Sequence, residues 1–546
     1  MMRNVAAWLV FAGCATAQPV RFANAPAVTT VDDRRDVPNK PEVREFYPDL
    51  YNFDATFHRP VTRALDVERH HRARGINAVD EVPDSTWFTN RLGTVELTAD
   101  DIRRGPLRHD NPEDHKPWTI TSTKVGGTSL GLIVKDTAGE KYLLKFDMKG
   151  FPEIETASDV IVDRILWAFG FNVPEDQIVA FAPGDLVLPA DAKVAGRYGG
   201  SRPFPRAELD RELATVEHMP DGKIRALASR WLDGKPLGGH PADGVRDDDP
   251  NDRIPHELRR DLRGAYSVFA WLDHIDVKEG NFLDMWVGDG GRHYVMHYLV
   301  DFGRSLGAAA AFGGDLRSGF SYVIDFSEIG TSLFTLGLHD RAWERRHAPE
   351  LRGVGLYDAA SYQPGNWKPA YPAYTPLLES DRFDQLWAAR KLIVFTREQL
   401  HAAVEAGELS DPKAVEYLTN VLVARQRATA QHVFAHAAPL DHFVATDGQL
   451  TFDDLALVYG LGADRSTTVY RITAFDRDGR QRGEPSELRA DPAGRVTSPI
   501  VCASDHDGYT ILRIATLRPG YAQTTDVHVA QDPATHQPRV IGIERR

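Results

Sequence analysis

The chain has 546 residues, 26% of them charged and 42% hydrophobic, a balance typical of folded domains and a length that calls for two or three of them. Its 64 basic and 78 acidic residues leave a net charge of -14. With no basic stripe, this excludes general nucleic-acid binding, which needs concentrated Lys and Arg to neutralise phosphates.

Arg3, an apolar run over 5–12 and a set of small residues read as an export signal too short to span a bilayer. Two exits are legible. Ala15-Thr16-Ala17 before Gln18 fits small-x-small cleavage of a 1–17 leader, whereas Phe11-Ala12-Gly13-Cys14 resembles a bacterial lipobox, which would make a lipidated Cys14 the first residue. Either exit implies an exported chain, whether periplasmic, an outer-membrane lipoprotein or secreted. Lipidated Cys14 is then the sole route to a membrane. Cys502 is the one other cysteine, so no internal disulfide is expected and the core must hold itself together.

Residues 18–117 are rich in Pro, Asp and Arg and short of periodic runs, so an extended, wrapping segment is expected, with a short helix over 64–75. Trp87 and Phe88 would pin it to the next domain. From Trp118 the pattern is strand, glycine loop, strand, turn, strand: 118–125, then Gly126-Gly127-Thr128-Ser129-Leu130-Gly131, then 132–134, a turn at 137–139 and a strand ending at Lys145-Phe146. Apolar spacing over 155–170 predicts an amphipathic helix closing at Gly170, and 177–181 is another strand. Residues 183–225 are loop-rich. The acidic run Asp243, Asp247, Asp248, Asp249 and Asp252 lacks calcium-loop spacing and reads as a solvated charge run. Helices follow at 254–271.

Next comes His274-Ile275-Asp276-Val277-Lys278-Glu279-Gly280-Asn281 and, after a hydrophobic run, Asp301-Phe302-Gly303. The order H-x-D-x-K-x-x-N then D-F-G resembles the catalytic segment of eukaryotic-type protein kinases, with a divergent pattern closer to bacterial, secretory-pathway, toxin-type and lipid kinases. The resemblance implies an α+β, two-lobed protein-kinase-like fold with its small lobe over 118–182 and an insertion plus helical large lobe over 183–440. It also implies ATP or another nucleoside triphosphate with Mg²⁺ or Mn²⁺. Asp276 would accept the acceptor hydroxyl's proton, Lys278 would sit near the transferred phosphoryl group, and Asn281 and Asp301 would bind metal. Gly126, Gly127, Ser129 and Gly131 would cover the phosphates, although Thr128 stands where the middle glycine belongs. Lys145 would reach those phosphates, held by Glu155, with Glu153 in reserve and Asp159 a weaker candidate. No A-P-E segment follows Gly303.

Helices are expected at 381–392, 397–406 and 411–434, completing the large lobe, and strand runs punctuated by Asp478-Gly479 and Asp507-Gly508 over 441–546 predict a small β domain. Three functions remain open, the first two being an exported phosphotransferase acting on a protein, sugar or lipid hydroxyl and a catalytically silent kinase-fold scaffold binding a ligand or partner at the cell envelope. An envelope structural protein with an accidental motif is a third.

Overall fold

Alternating burial along Trp118–Thr123 (β1), Gly131–Lys135 (β2) and Lys141–Phe146 (β3) gives each strand one apolar face. Those faces meet in a cluster containing Trp118, Ile120, Leu132, Val134, Leu144 and Phe146. The computed structural model describes residues 20–65, 71–123, 130–195, 200–313, 316–500 and 507–546. Gly126, Gly127 and Ser129 lie outside them, as do Cys14 and Cys502. β1 to β3 form an antiparallel meander. Asp176–Phe181 (β4) and Ile224–Arg230 (β5) extend it, in the order β4-β5-β3-β2-β1, with the two-residue strand Leu186–Val187 at the far edge. The sheet therefore draws β5 from beyond the loop-rich 183–225 stretch, between β3 and β4. Its apolar run had no neighbouring motif to reveal that place.

Helix Ile154–Phe169 (α1) is buried on nearly every side. Val160 packs against Ile178 and Leu227 of the sheet, while Ile161, Ile165 and Leu166 join the large core of the helical body. It ends at Gly170, whose φ of 138° and close approach to Phe88 Cζ, 2.3 Å from where a Cβ would stand, admit no side chain. That core is closed by Arg260–Leu272 (α2), Arg382–Leu392 (α3), Arg397–Glu405 (α4) and Pro412–Phe434 (α5). Between α2 and α3 in sequence, Phe282–Asp289 (β6) and Arg292–Leu299 (β7) pair over their whole length around Gly290-Gly291. Mixed helix and strand, segregated in this way, make the chain α+β.

Two sequence expectations change. The N-terminal segment is not extended throughout: Pro48–Phe53, Asp54–His58 and Arg59–Leu65 form continuous helical structure, earlier than the helix expected at 64–75. Pro48 starts it, and Tyr51 and Ala55 seat it against Ala373. The acidic run is solvated only in part: Asp243, Asp247 and Asp248 are exposed, and the last two acids turn inward. Asp249 and Asp252 are 3% and 5% exposed, because Asp252 accepts from the Arg246 backbone N–H at 2.7 Å and lies 2.7 Å from His256 Nε2.

The described residues divide into two compact units, one within 28–77 and 81–439, the other within 20–27, 78–80 and 440–546. The second is built from β-sheets: Leu440–Thr446, Gln449–Asp454 and Arg495–Pro499 form one, and Gln481–Leu488, Val469–Asp476, Thr510–Arg518, Tyr521–Gln531 and Pro538–Arg545 the other. Its Asp476-Arg477-Asp478-Gly479 stretch is a turn, with Asp476 Oδ1 accepting the N–H groups of Asp478 and Arg480. No described helix is long and apolar enough to cross a membrane.

Candidate functional site

Lys145 lies on β3 directly opposite Gly131 of β2. Its ammonium is 2.9 Å from Asp159 Oδ2 and 2.9 Å from Asp301 Oδ1. Burial disfavours the charged ammonium, but Asp159 and then Asp301 outweigh that cost and hold its pKa well above the ordinary lysine value. The three charges come from the sheet, α1 and the segment after β7, so this contact joins the sheet to the helical body.

The carboxylate on Lys145 is thus Asp159 rather than Glu155. Asp147, at the end of β3, accepts the N–H groups of Glu155 and Thr156 at 3.0 Å each and fixes where α1 begins. That anchoring brings the helix's second turn to the lysine. Asp159 lies one turn beyond Glu155 on the same face, and its other oxygen takes the Phe302 N–H at 3.0 Å. Glu153 points elsewhere, bonded to Arg352 at 2.7 Å and to the Ser410 N–H at 2.9 Å. Glu155 packs against Gly303, where an added Cβ would stand 2.7 Å from its Cγ.

Burial raises the Glu155 pKa to about 7, Lys145 pulling it down while Asp301 and Asp159 push it up. Between the ordinary glutamate value and about 7 the folded chain keeps a proton that the unfolded chain releases, so stability contributed below that window is lost as pH rises through it. Glu155→Gln removes this loss. In thermal melts without nucleotide or metal, the variant's Tm should gain on the wild type between about pH 5 and about pH 8; a gap independent of pH would contradict the assignment.

The loop after α2 carries the remaining candidates. Both oxygens of Asp276 are 2.7 Å from Lys278 Nζ. Asn281 Nδ2 donates to the Asp276 carbonyl at 2.7 Å, leaving Oδ1 as the amide atom that could meet a cation. Val300 N–H donates to the Asn281 carbonyl at 3.0 Å, which holds the approach to Asp301 beside this loop. His274 completes the lacing: its Nδ1 is 2.9 Å from Ser305 Oγ, its ring lies edge-on to Phe302, and burial lowers its pKa to about 4, so it is neutral. Asp301 adopts φ 69°, a left-handed conformation that Asp accepts more readily than most residues. The Asp276 and Asp301 side chains keep 17% and 31% of their surface exposed, within reach of a solute. An amide and carboxylate oxygen set suits hard dications such as Mg²⁺ or Mn²⁺.

Sequence reasoning missed the support beneath this loop. Glu279 is held by Arg59 at 2.8 Å and Arg44 at 3.3 Å, and Phe46 lies against Gly280, 3.1 Å from where a Cβ would stand. No local signal marks Arg44 or Arg59. Asp159 did have one, its i+4 spacing from Glu155.

No protein-family model and no curated protein matches the chain. Among solved structures, the crystal structure of the Golgi casein kinase with Mn/ADP bound is similar at 10% identity over 61% of this chain and 73% of that one, with a TM-score of 0.29. So loose an overlap carries no weight for this chain's fold or site; the residues themselves do.

Proposed function

We propose that the chain is an exported kinase-like phosphotransferase that uses a metal-bound nucleoside triphosphate to phosphorylate a hydroxyl acceptor. The observation that carries this reading is the Lys145–Asp301 contact, made across 156 positions in the same fold that ties Asn281 to Asp276. In this reading Lys145 exchanges its carboxylate contacts for phosphate oxygens. Asn281 and Asp301 hold the divalent metal, which when bound neutralises phosphate charge. Asp276 orients the acceptor hydroxyl and takes its proton, while Lys278 balances the charge on Asp276. The export signal in the first 17 residues supports placement in the envelope or outside the cell.

Purified mature protein, labelled ATP and Mn²⁺ or Mg²⁺ test it. Lys145→Met should weaken nucleotide binding about tenfold to a hundredfold, the worth of charge-assisted contacts to phosphate. Asp301→Ala should abolish its dependence on the metal, with melts confirming that both variants fold. Nucleotide binding without transfer or hydrolysis would favour the silent scaffold, and the absence of both would end the nucleotide reading.

A further inference from the structure

The β6–β7 hairpin runs from Asn281 to Asp301, and in its interior lies a second polar cluster that the reaction above does not use. Asp284 of β6 and His297 of β7 are register partners, with Asp284 Oδ1 2.7 Å from His297 Nδ1. His240, on the loop after strand Lys235–Pro236, brings Nδ1 to 3.5 Å from the same oxygen. This loop is fixed by the backbone of Asp284 itself: Leu237 N–H donates to the Asp284 carbonyl at 2.9 Å, and Asp284 N–H to the Gly238 carbonyl at 2.8 Å. Gly239 is required for that approach, since a Cβ there would fall 1.9 Å from the Glu279 carbonyl oxygen.

All three side chains are at least 95% buried, and one nitrogen or oxygen from each lies within 4.8 Å of the others. A hydrogen-bonded network would account for His297 and Asp284 but not for His240. Its Nε2 is engaged, 2.7 Å from Tyr374 OH, while its Nδ1 is buried without a hydrogen-bond partner and sits beside the carboxylate. An imidazole with one nitrogen oriented by a hydroxyl and the other left bare toward a carboxylate is the arrangement of a metal ligand and its supporting contact. Arg246 Nη1 donates to Asp284 Oδ2 at 3.3 Å, leaving Oδ1 to face the two rings. Trp87 stacks flat on His297, centroids 3.5 Å apart, and closes that side with apolar surface.

We infer that His240 Nδ1, Asp284 Oδ1 and His297 Nδ1 form a zinc site that pins the β6–β7 hairpin. Two imidazole nitrogens and one carboxylate oxygen suit Zn²⁺ over Mg²⁺ or Ca²⁺, which prefer all-oxygen sets. Bonds of about 2.0–2.1 Å in a tetrahedral site, whose fourth donor beside these three side chains would be a water, place ligand atoms roughly 3.3 Å apart. The His240–Asp284 spacing already fits, and the His297–Asp284 hydrogen bond opens as the ion takes the place of the Nδ1 proton and the neutral ring carries its proton on Nε2 instead. The ion is structural. Asp284 follows Asn281 by three residues and His297 precedes Asp301 by four, so fixing the hairpin fixes the spacing of the two proposed metal-bearing residues of the phosphoryl-transfer site without touching substrate.

The test uses the untagged full chain, stripped with a chelator, dialysed and reloaded. Elemental analysis should find one zinc per chain, zinc should raise the Tm of the stripped protein, and Co²⁺ in its place should give the visible absorption of a tetrahedral N,O site. His240→Ala should lose the ion. Tyr374→Phe should bind it about 10- to 100-fold more weakly, and Asp301→Asn should keep it, which separates this site from the nucleotide's metal and from the fate of the kinase reading. Wild-type protein that takes up neither zinc nor Co²⁺ overturns the inference even if every variant misfolds. So does zinc retained by folded His240→Ala or lost from folded Asp301→Asn.

Discussion

Asp276→Asn is expected to lower phosphoryl transfer by about 10²- to 10⁴-fold, the range for removing a positioned general base, with nucleotide affinity unchanged. The substitution preserves shape. Asn281 bonds the backbone carbonyl of residue 276 rather than its side chain, and the Glu279 contacts to Arg59 and Arg44 lie outside the change. What disappears is the charge between Lys278 and an incoming hydroxyl, a contribution made in the transition state rather than on nucleotide binding. It should therefore appear as equal losses in kcat and kcat/KM for ATP with KM intact. Lys278→Met should do less harm, since it removes the counter-charge and leaves the base. A rate for Asp276→Asn within about tenfold of wild type, too small a loss for a general base, would remove Asp276 from the chemistry.

What could be read from the sequence was what lies close together in it. The 274–281 and 301–303 motifs carry their order and spacing with them, and Lys145 is placed by the alternation of three consecutive strands. The partner of Lys145 was less legible, because the choice between Glu155 and Asp159 depends on where α1 starts, and that is set by Asp147 just after the preceding strand. Arg59 was out of reach: it meets Glu279 across 220 positions, and no pattern in a charged helix names so distant a partner. The 243–252 run misled in part, at Asp249 and Asp252, for a related reason. Composition alone favours solvation of five acids, but Arg246 and His256 fall at spacings that fold Asp252 inward. The three residues of the inferred zinc site come from separate strands and loops, so only the fold assembles them.

In the unit that includes residues 440–546, Asp454→Ala should cost about 3–5 kcal/mol, the scale for removing one partner from a buried charge pair. Asp454 is fully buried at the end of strand Gln449–Asp454. Its Oδ1 caps the following helical turn through the Ala456 N–H at 3.1 Å. Its Oδ2 accepts from Tyr470 OH at 2.6 Å and from Arg518, both on strands of the other sheet. One carboxylate therefore holds the two sheets together. Alanine leaves a guanidinium whose side chain is 11% exposed and a buried phenol without an acceptor, besides losing the cap. Asn in its place keeps one acceptor oxygen, enough for the cap or for Tyr470 but not for both, and drops the charge, so it should cost less than Ala but more than nothing. Hydrogen exchange resolves the effect by segment. The amides of Thr510–Arg518 should exchange faster in Asp454→Ala at constant pH, by a factor of about 10² or more if unfolding of this unit limits them. Unchanged exchange there would mean that the sheets are joined by their apolar faces and that Asp454 merely sits between them.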